Sequence, residues 1–419
     1  MSLHLPKHQW GTRGVDAYEK LECVGAGTYG QVYMAKNKET GEVVAIKKIR
    51  SLNEVQGLPV TTIREIKVLK CLNHRNLVEL KEVVVSTEND DDDAEFTDKD
   101  KEDSLEYCQG SIYLVLEYVD HDLTGLIDRQ YPFSDAEIKS IMRQLLEVMH
   151  HMHSLDIIHR DIKCSNLLLT NNHILKVADF GLARSIRGDQ LFTNKVVTLW
   201  YRPPELLLGA TSYDASIDMW SIGCVMAELY IGHPLFQGKT EIEQINKIFD
   251  LCGTPTVESW SDYKFLPLSN KFVPEKRKDR RLREYLNREV TARKRVLPKG
   301  ALELIEQLLV LDPEQRLTAA GCLKSVYFQA RPFAPENPES LPPLANLPPS
   351  HEYQTKKIRR EQAKQNMNGG PNGAANRGGS ASAKGASAEE VDVKDPKIKT
   401  EMKQETTGLE PPNKRRREG

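Results

Sequence analysis

His159-Arg-Asp-Ile-Lys-Cys-Ser-Asn166 sets a carboxylate, a lysine and an amide within one short span. It lies between a segment striped with apolar side chains and the run Leu167-Leu-Leu-Thr170, and Asp179-Phe-Gly181 follows the apolar stretch 174–178. Two carboxylates and an asparagine are hard oxygen ligands of the kind Mg²⁺ takes when it also holds phosphates. Upstream, Gly25-Ala-Gly-Thr-Tyr-Gly30 sits between strand-like segments at 21–24 and 31–35. Glycine there lets backbone amides approach phosphates with no Cβ in the way. By itself the pattern fits a nucleotide loop and a tight hairpin equally well. A dinucleotide fold needs a helix straight after the last glycine, whereas Gln31-Val-Tyr-Met-Ala continues as strand. Val44-Ala-Ile-Lys47 adds a lysine within an apolar strand, and Thr61-Thr-Ile-Arg-Glu65 a carboxylate able to hold its ammonium. Singly, an outward lysine and a solvated glutamate explain both. After the glycine run, Lys47 reads as a cation for phosphates.

Working outward, residues 18–118 consist mostly of short β-branched strands, 43–49 and 112–118 among them. One helix interrupts them from about Val60 to Leu72, with Pro59 where a first-turn proline is tolerated. Beyond residue 119 helices dominate. Ser134-Asp-Ala-Glu137 forms a capping box, and Ile138, Ile141, Met142, Leu145, Leu146 and Met149 continue it as one apolar stripe. The methionines in that stripe are core filler. A small β-rich part followed by a larger helical part implies a cleft, and such clefts are favoured ligand sites. The organisation expected is a leader at 1–17, a β-rich lobe at 18–118, a helical lobe at 119–332 and a disordered tail at 333–419. An acidic loop insertion at about 86–110 is exposed, because burying its carboxylates would desolvate them.

Composition excludes several classes. Lys+Arg 58 against Asp+Glu 60 leaves a net charge of -2, so nothing in the overall balance calls for nucleic acid or membrane. No apolar run approaches the ~18 residues of a membrane span, and the start lacks the apolar core of a secretory signal. The seven cysteines stand singly with no Cys-x-x-Cys, which fits reduced thiols rather than zinc or disulfide staples. The basic stretch 271–295 has interspersed acids and no stacking aromatics, so a solvated helical face is expected and direct nucleic-acid binding is not. Lys414-Arg-Arg-Arg417 reads as a nuclear import address.

Taken together, the glycine run, Val-Ala-Ile-Lys, the helix glutamate, His-Arg-Asp…Asn and Asp-Phe-Gly resemble the eukaryotic protein-kinase signature over about residues 18–330. The resemblance implies an α+β, bilobal kinase fold with a small β-rich N-lobe and a larger helical C-lobe, and ATP with Mg²⁺ as cofactors. It implies that Asp161 takes or orients the proton of the substrate hydroxyl and that Lys163 neutralises the γ-phosphoryl group. Asn166 and Asp179 would hold Mg²⁺, and Lys47, paired with Glu65, would anchor the α/β-phosphates. Gly25, Gly27 and Gly30 would lie over the phosphates. Val24, Val32, Ala45 and Leu168 would enclose the adenine, Glu117 and Val119 would offer backbone groups as the hinge with Leu116 behind them, and Asp122 would face the ribose.

Pro59-Val-Thr-Thr-Ile-Arg-Glu65 resembles the cyclin-contacting helix of cyclin-dependent kinases. Thr193 matches that family's activating phosphothreonine, which implies an upstream activating kinase, and Arg64, Arg160 and Arg184 match the arginines that converge on it. Val196, Val197 and Arg202 match the pocket for proline, so Ser-Pro or Thr-Pro protein substrates are implied. Thr28 and Tyr29 fall where inhibitory phosphates occur in cell-cycle members. Thr193 through Gly209, His121 through Leu126 and Ser350-His-Glu-Tyr-Gln-Thr-Lys-Lys357 look most like the transcriptional branch, especially plant-type C-class kinases acting on the RNA polymerase II C-terminal repeats. That implies a cyclin partner and a nuclear location. A cell-cycle kinase of the same family and a catalytically silent cyclin scaffold are the alternatives, and no catalytic group is substituted as a scaffold would allow. Cys164 departs from the family pattern, standing where proline or a small residue is usual.

Overall fold

The computed structural model describes residues 13–27, 30–49, 59–86, 111–188, 191–274, 276–344 and 347–368. Thr28, Tyr29 and Lys414–Arg417 lie outside the described residues, as does the acidic run from 87 to 110.

Strands β1 (Tyr18–Gly27), β2 (Gly30–Asn37) and β3 (Val43–Ile49) lead into helix α1 (Val60–Cys71), and β4 (Leu80–Val85) and β5 (Ile112–Glu117) complete one antiparallel sheet in the order β1-β2-β3-β5-β4. The ends of β4 and β5 are joined where Ser86 N donates to Ser111 O at 2.9 Å, so the acidic insertion interrupts a hairpin. Gly30 has φ +143, and a Cβ there would fall 1.8 Å from Lys48 O. Its glycine is thus demanded by the close approach of β3 as well as by the turn. The sheet has its own small core of Val15, Tyr18, Ala35, Val44, Ile46, Val84, Tyr113 and Val115.

The helical lobe opens with β6 (His121–Asp122), α2 (Leu123–Asp128) and α3 (Asp135–Ser154). At the start of α3, Ser134 N donates to Glu137 Oε2 at 2.7 Å and Glu137 N to Ser134 Oγ at 3.3 Å, closing the capping box. All six apolar residues of the α3 stripe are fully buried. Short strands β7 (Ile157–Ile158), β8 (Leu167–Leu169), β9 (Leu175–Val177) and β10 (Arg184–Ser185) carry the loops between them to the cleft. After α4 (Pro204–Leu207), helix α5 (Ser216–Ile231) is buried on every face from Ile217 onward and forms the axis of the lobe. A helix apolar all round belongs in a core. Around it stand α6 (Glu241–Cys252), α7 (Ser269–Phe272), α8 (Leu282–Ala292), α9 (Ala301–Leu308), α10 (Ala319–Leu323) and α11 (Val326–Gln329).

Within 271–295, α8 buries Leu282, Leu286 and Val290, and its arginines find carboxylates, Arg283 on Glu306 and Arg288 on Glu289. This is the solvated, internally paired face that the interspersed acids imply.

The composition break near 333 does not end the packed chain. Leu344 is buried and its N donates to Asn171 O at 2.8 Å, Arg143 reaches the carbonyls of Ala334 and Pro335, and Ser350 bridges to His121. Helix α12 (Glu352–Asn368) follows. This stretch has little apolar surface, but its backbone groups find partners on the helical lobe, which holds it in place. Among the described residues, no helix is long and apolar enough to cross a membrane.

Candidate active site

A cavity of about 540 Å³ lies between the sheet and the helical lobe. Val24, Gly25, Gly30, Val32, Ala45, Lys47, Glu65, Leu116, Glu117, Val119, Asp122, Asp161, Lys163, Asn166, Leu168 and Asp179 all line it, and so do Val196 and Val197. Gly27 ends β1, paired with Gly30 across the hairpin.

At one end of the cavity, β3 presents Lys47 to α1. Its Nζ lies 2.8 Å and 2.9 Å from the Glu65 oxygens and 3.1 Å from Asp179 Oδ1. Burial works against the Lys47 charge, but Asp179 and Glu65 outweigh it and hold its pKa above the ordinary lysine value. Asp179 is likewise pushed up by burial, but Lys47, with Lys163 and His159, together outweigh it and hold Asp179 below the usual carboxylate range. Glu65 goes the other way: burial, with the nearby Asp179 charge, pushes its carboxyl above the ordinary value although Lys47 opposes the rise.

The second cluster centres on Asp161. Its Oδ1 accepts from Thr198 Oγ1 at 2.7 Å and Thr198 N at 3.1 Å, and its Oδ2 from Asn166 Nδ2 at 3.0 Å. Lys163 Nζ stands 2.9 Å from Oδ2 and donates to Thr198 Oγ1 at 3.1 Å. One carboxylate thereby ties the loop 159–166 to the segment after Thr193. The loop itself is held from below. Asp218, near the start of α5, accepts from Arg160 N and His159 N at 2.9 Å each and from His153 Nε2 at 3.0 Å. Burial opposes its charge, yet His153 and these donors keep its pKa below the ordinary value. His159 completes the loop, its Nδ1 facing Asp161 N at 3.2 Å and its Nε2 facing Ala178 O at 3.1 Å.

Three non-glycine residues with positive φ, Arg160 (66), Asp179 (63) and Val197 (66), gather here. A β-branched residue in that region is strained. At Val197 the strain turns the carbonyl toward Arg202, whose Nε and Nη2 donate to it at 3.2 Å and 3.1 Å while Nη1 bonds Glu241 at 2.6 Å. Further along, Glu205 and Arg316 make a buried, bidentate pair at 2.6 Å.

Thr193 is exposed. Arg160 reaches its neighbourhood through Tyr213, whose hydroxyl accepts from Arg160 Nη1 at 3.1 Å and donates to Thr193 O at 2.8 Å. Arg64 donates to Gly181 O at 3.4 Å, and the Arg184 guanidinium lies 5.2 Å from the centre of the Phe192 ring.

Sequence reasoning missed three groups. Thr198 and Tyr213 carry no local signal, because each makes its contact far along the chain. His351, Glu352, Tyr353 and Lys356 also line the cavity, from the stretch whose composition predicts disorder. They reach it because Asp122 receives them. Its Oδ1 caps α2 at Gly125 N (2.6 Å) and its Oδ2 accepts from Glu352 N (2.7 Å). Asp122 is buried, which raises its pKa, and both oxygens are engaged by the chain itself. The side chain assigned to a ribose is thus occupied as a cap for two segments.

The residues fit a nucleotide with a divalent ion. Val24, Val32, Ala45 and Leu168 give an apolar end, while Lys47 and the Asp161 cluster give a charged one. Asn166 spends its nitrogen on Asp161, so its oxygen would be the atom available to a cation, and Asp179 lines the same cavity. Among the described residues, no group of three or more His, Cys, Asp and Glu side chains is placed to hold a metal alone. An ion at Asp179 and Asn166 would draw its other ligands from phosphates and water, as Mg²⁺ does.

Comparison with known proteins agrees with this geometry. Residues 18–328 match the protein kinase domain family. The chain is 51% identical over 362 residues to cyclin-dependent kinase C-1 of Arabidopsis thaliana, spanning 86% of this chain and 68% of that protein. It is 42% identical over 345 residues to CTD kinase subunit alpha of Schizosaccharomyces pombe, spanning 81% of this chain and 53% of that one. In structure it is similar to a chain of the yeast RNA Pol II CTD kinase CTDK-1 complex, with TM-score 0.65 and 35% identity over 77% of this chain and 96% of that chain.

Proposed function

This chain belongs to the protein kinase family, as a homologue of the C-class cyclin-dependent kinases, and from that premise we propose that it phosphorylates Ser-Pro and Thr-Pro sites of RNA polymerase II C-terminal repeats once a cyclin has bound. It is an ATP-dependent serine/threonine protein kinase. The observation that carries the reading is the knot of Asp161, Lys163, Asn166 and Thr198 in the same cavity as the closed Lys47–Glu65–Asp179 cluster.

Mg²⁺ bound with ATP at Asp179 and Asn166 would neutralise charge on the phosphates. Asp161, its carboxylate oriented by Thr198 and Asn166, would accept the proton of the substrate hydroxyl as that oxygen bonds to the γ-phosphorus and ADP departs. Lys163, held between Asp161 and Thr198, would offset charge on the transferred group. Lys47 would bind the α/β-phosphates, and Glu65 keeps it pointed there. Since phosphoryl transfer has a loose transition state, positioning and electrostatics supply most of the rate. The Val197 carbonyl is taken up by Arg202, which leaves Val196 and Val197 to face a residue lacking an N–H, as proline does.

Helix α1 supports the cyclin assignment. Val60 and Ile63 are exposed, and only Thr62 and Glu65 of the helix are buried. A helix this short is marginal alone, so a partner covering its apolar face would fix Glu65 on Lys47. A phosphate on Thr193, added by an upstream kinase, would draw Arg64, Arg160 and Arg184 together. The relatives' names and Lys414–Arg417 support a nuclear site of action. The full chain co-purified with its cyclin, assayed on a Ser-Pro repeat peptide, should incorporate phosphate at serine. A Ser-Ala peptide and the Asp161→Asn complex should give under a hundredth of that rate. Equal incorporation with Asp161→Asn would refute the assignment.

A further inference from the structure

A second cavity, of about 370 Å³, opens in the helical lobe where the connection from α2 to α3 meets the ends of α5 and α8. It shares no lining residue with the nucleotide cavity. Part of its lining is apolar. Ile127, Pro132 and Leu229 stand there with Tyr131 and Phe133, whose rings meet edge to face at 4.8 Å. The other part is cationic, supplied by Arg293 and Arg295 from the chain just past α8.

The two arginines differ in what they face. Arg295 is committed inside the protein, its Nη2 2.8 Å from Asp135 Oδ1 and its guanidinium 5.6 Å from the centre of the Tyr230 ring. Arg293 is exposed, and its Nη1 donates to Ile231 O at 3.1 Å, a neutral partner at the end of α5. Among the described residues, no carboxylate pairs with it. Gly232 makes its position possible, for its φ is +74 and a Cβ there would fall 2.2 Å from Arg293 Nη1. Acids of the neighbouring elements are already engaged, Asp135 by Arg295 and Glu289 by Arg288 at 3.0 Å. Lys294, between the arginines, is exposed and adds to the positive excess. A basic run that is otherwise paired internally thus leaves one anchored guanidinium beside an apolar pocket.

We propose that this cavity is a docking site for an acidic peptide segment of a partner protein. The segment sets a glutamate or aspartate carboxylate on Arg293 and an adjoining apolar side chain against the ring pair. Charge complementarity selects that occupant. A guanidinium fork matches a carboxylate, and an aromatic wall takes an apolar side chain. The cavity shelters the ion pair from water on one side, which makes it worth more than a pair on an open surface. A nucleic-acid strand needs cations that follow a groove, whereas these converge on one pocket at the small end of the range for ligand sites. Docking here raises the local concentration of the protein that carries the segment, and so acts on encounter and leaves the chemical step alone.

Binding is measured without ATP or turnover, so the result is independent of the kinase assignment. The full chain with its cyclin is titrated into a labelled peptide carrying Leu-Glu-Glu-Pro, and fluorescence anisotropy is read. A Kd on the order of 10 μM is expected, weakening as salt is raised. Peptides with Gln for Glu, or with Ser for Leu, should each bind at least tenfold more weakly. Arg293→Ala should weaken binding of the parent peptide at least tenfold. The same variant should phosphorylate a Ser-Pro repeat peptide within twofold of the wild-type rate, because Arg293 lies outside the nucleotide cavity. Equal affinity of wild type and Arg293→Ala overturns the proposal, as does equal affinity for the Glu and Gln peptides, which needs no variant. A single-stranded oligonucleotide that binds tenfold more tightly than the Glu peptide, and loses that affinity in Arg293→Ala, overturns the assignment of the occupant.

Discussion

Thr198→Val removes one hydroxyl and keeps side-chain shape, which makes it a sharp probe of the Asp161 cluster. The hydroxyl donates to Asp161 Oδ1 at 2.7 Å and accepts from Lys163 Nζ at 3.1 Å. A hydrogen bond to a charged group is worth about 1.5–3 kcal/mol. Asp161 keeps the Thr198 N–H at 3.1 Å, Asn166 at 3.0 Å and Lys163 at 2.9 Å, so it is not left unpaired and the lower half of that range applies. At 1.36 kcal/mol per decade this predicts a fall in kcat of roughly 10- to 50-fold. KM for ATP should stay within twofold, since Lys47, Glu65 and the apolar end are untouched. The assay is steady-state phosphorylation of a Ser-Pro repeat peptide by the cyclin complex, with Thr198→Ser beside it. The serine keeps the hydroxyl and should retain most of the rate. A valine variant within twofold of wild type, or a serine variant as slow as the valine, would refute the idea that this hydroxyl orients the carboxylate.

Glu65→Gln leaves the buried Lys47 ammonium with Asp179 alone and should cost about 3 kcal/mol, seen as a loss of roughly 100-fold in kcat/KM for ATP. Retention of more than a tenth of the activity would mean that the pair does not position Lys47. Gly125→Ala would place a Cβ 2.3 Å from Ser350 O. The segment from Ser350 should lift away, at a cost of about 1–3 kcal/mol, and limited proteolysis should cut between 350 and 362 much faster than in wild type. Because Asp218 has its folded pKa lowered, its charge stabilises the fold above the ordinary value near 4 and that contribution fades as pH falls through the lower folded value. Asp218→Asn should thus be less stable than wild type by about 3 kcal/mol at pH 7, with the gap closing only below pH 4. A gap that closes between pH 7 and pH 5 would contradict this assignment of its charge state.

Much of this site could be read from the chain because its chemistry is local. His159 through Asn166 places Asp161, Lys163 and Asn166 within one loop, and the strand carrying Lys47 ends where the sequence says it should. The capping box at Ser134 was legible for the same reason. Other links were not. Thr198 is 37 residues from Asp161, and nothing in either neighbourhood marks the other. Helix α5 is apolar on all faces and so has no stripe to find, yet its Asp218 and Glu228 support both loops. The stretch after 333 looks too polar to pack, but its hold is backbone hydrogen bonding into room left by Gly125, which a count of apolar residues does not see. Gly30 was legible as a glycine and only partly for the right reason, since Lys48 O crowds it as well.

The claim on which the account depends is that Asp179 and Asn166 hold a nucleotide-bound divalent ion next to Asp161. The most direct measurement is anomalous diffraction from crystals of the full chain with its cyclin, soaked with Mn²⁺ and a non-hydrolysable ATP analogue. The account predicts a strong manganese peak within about 2.5 Å of oxygens from both Asp179 and Asn166, absent in the Asp179→Asn variant. A nucleotide seated in the cavity with no manganese at those side chains would contradict it.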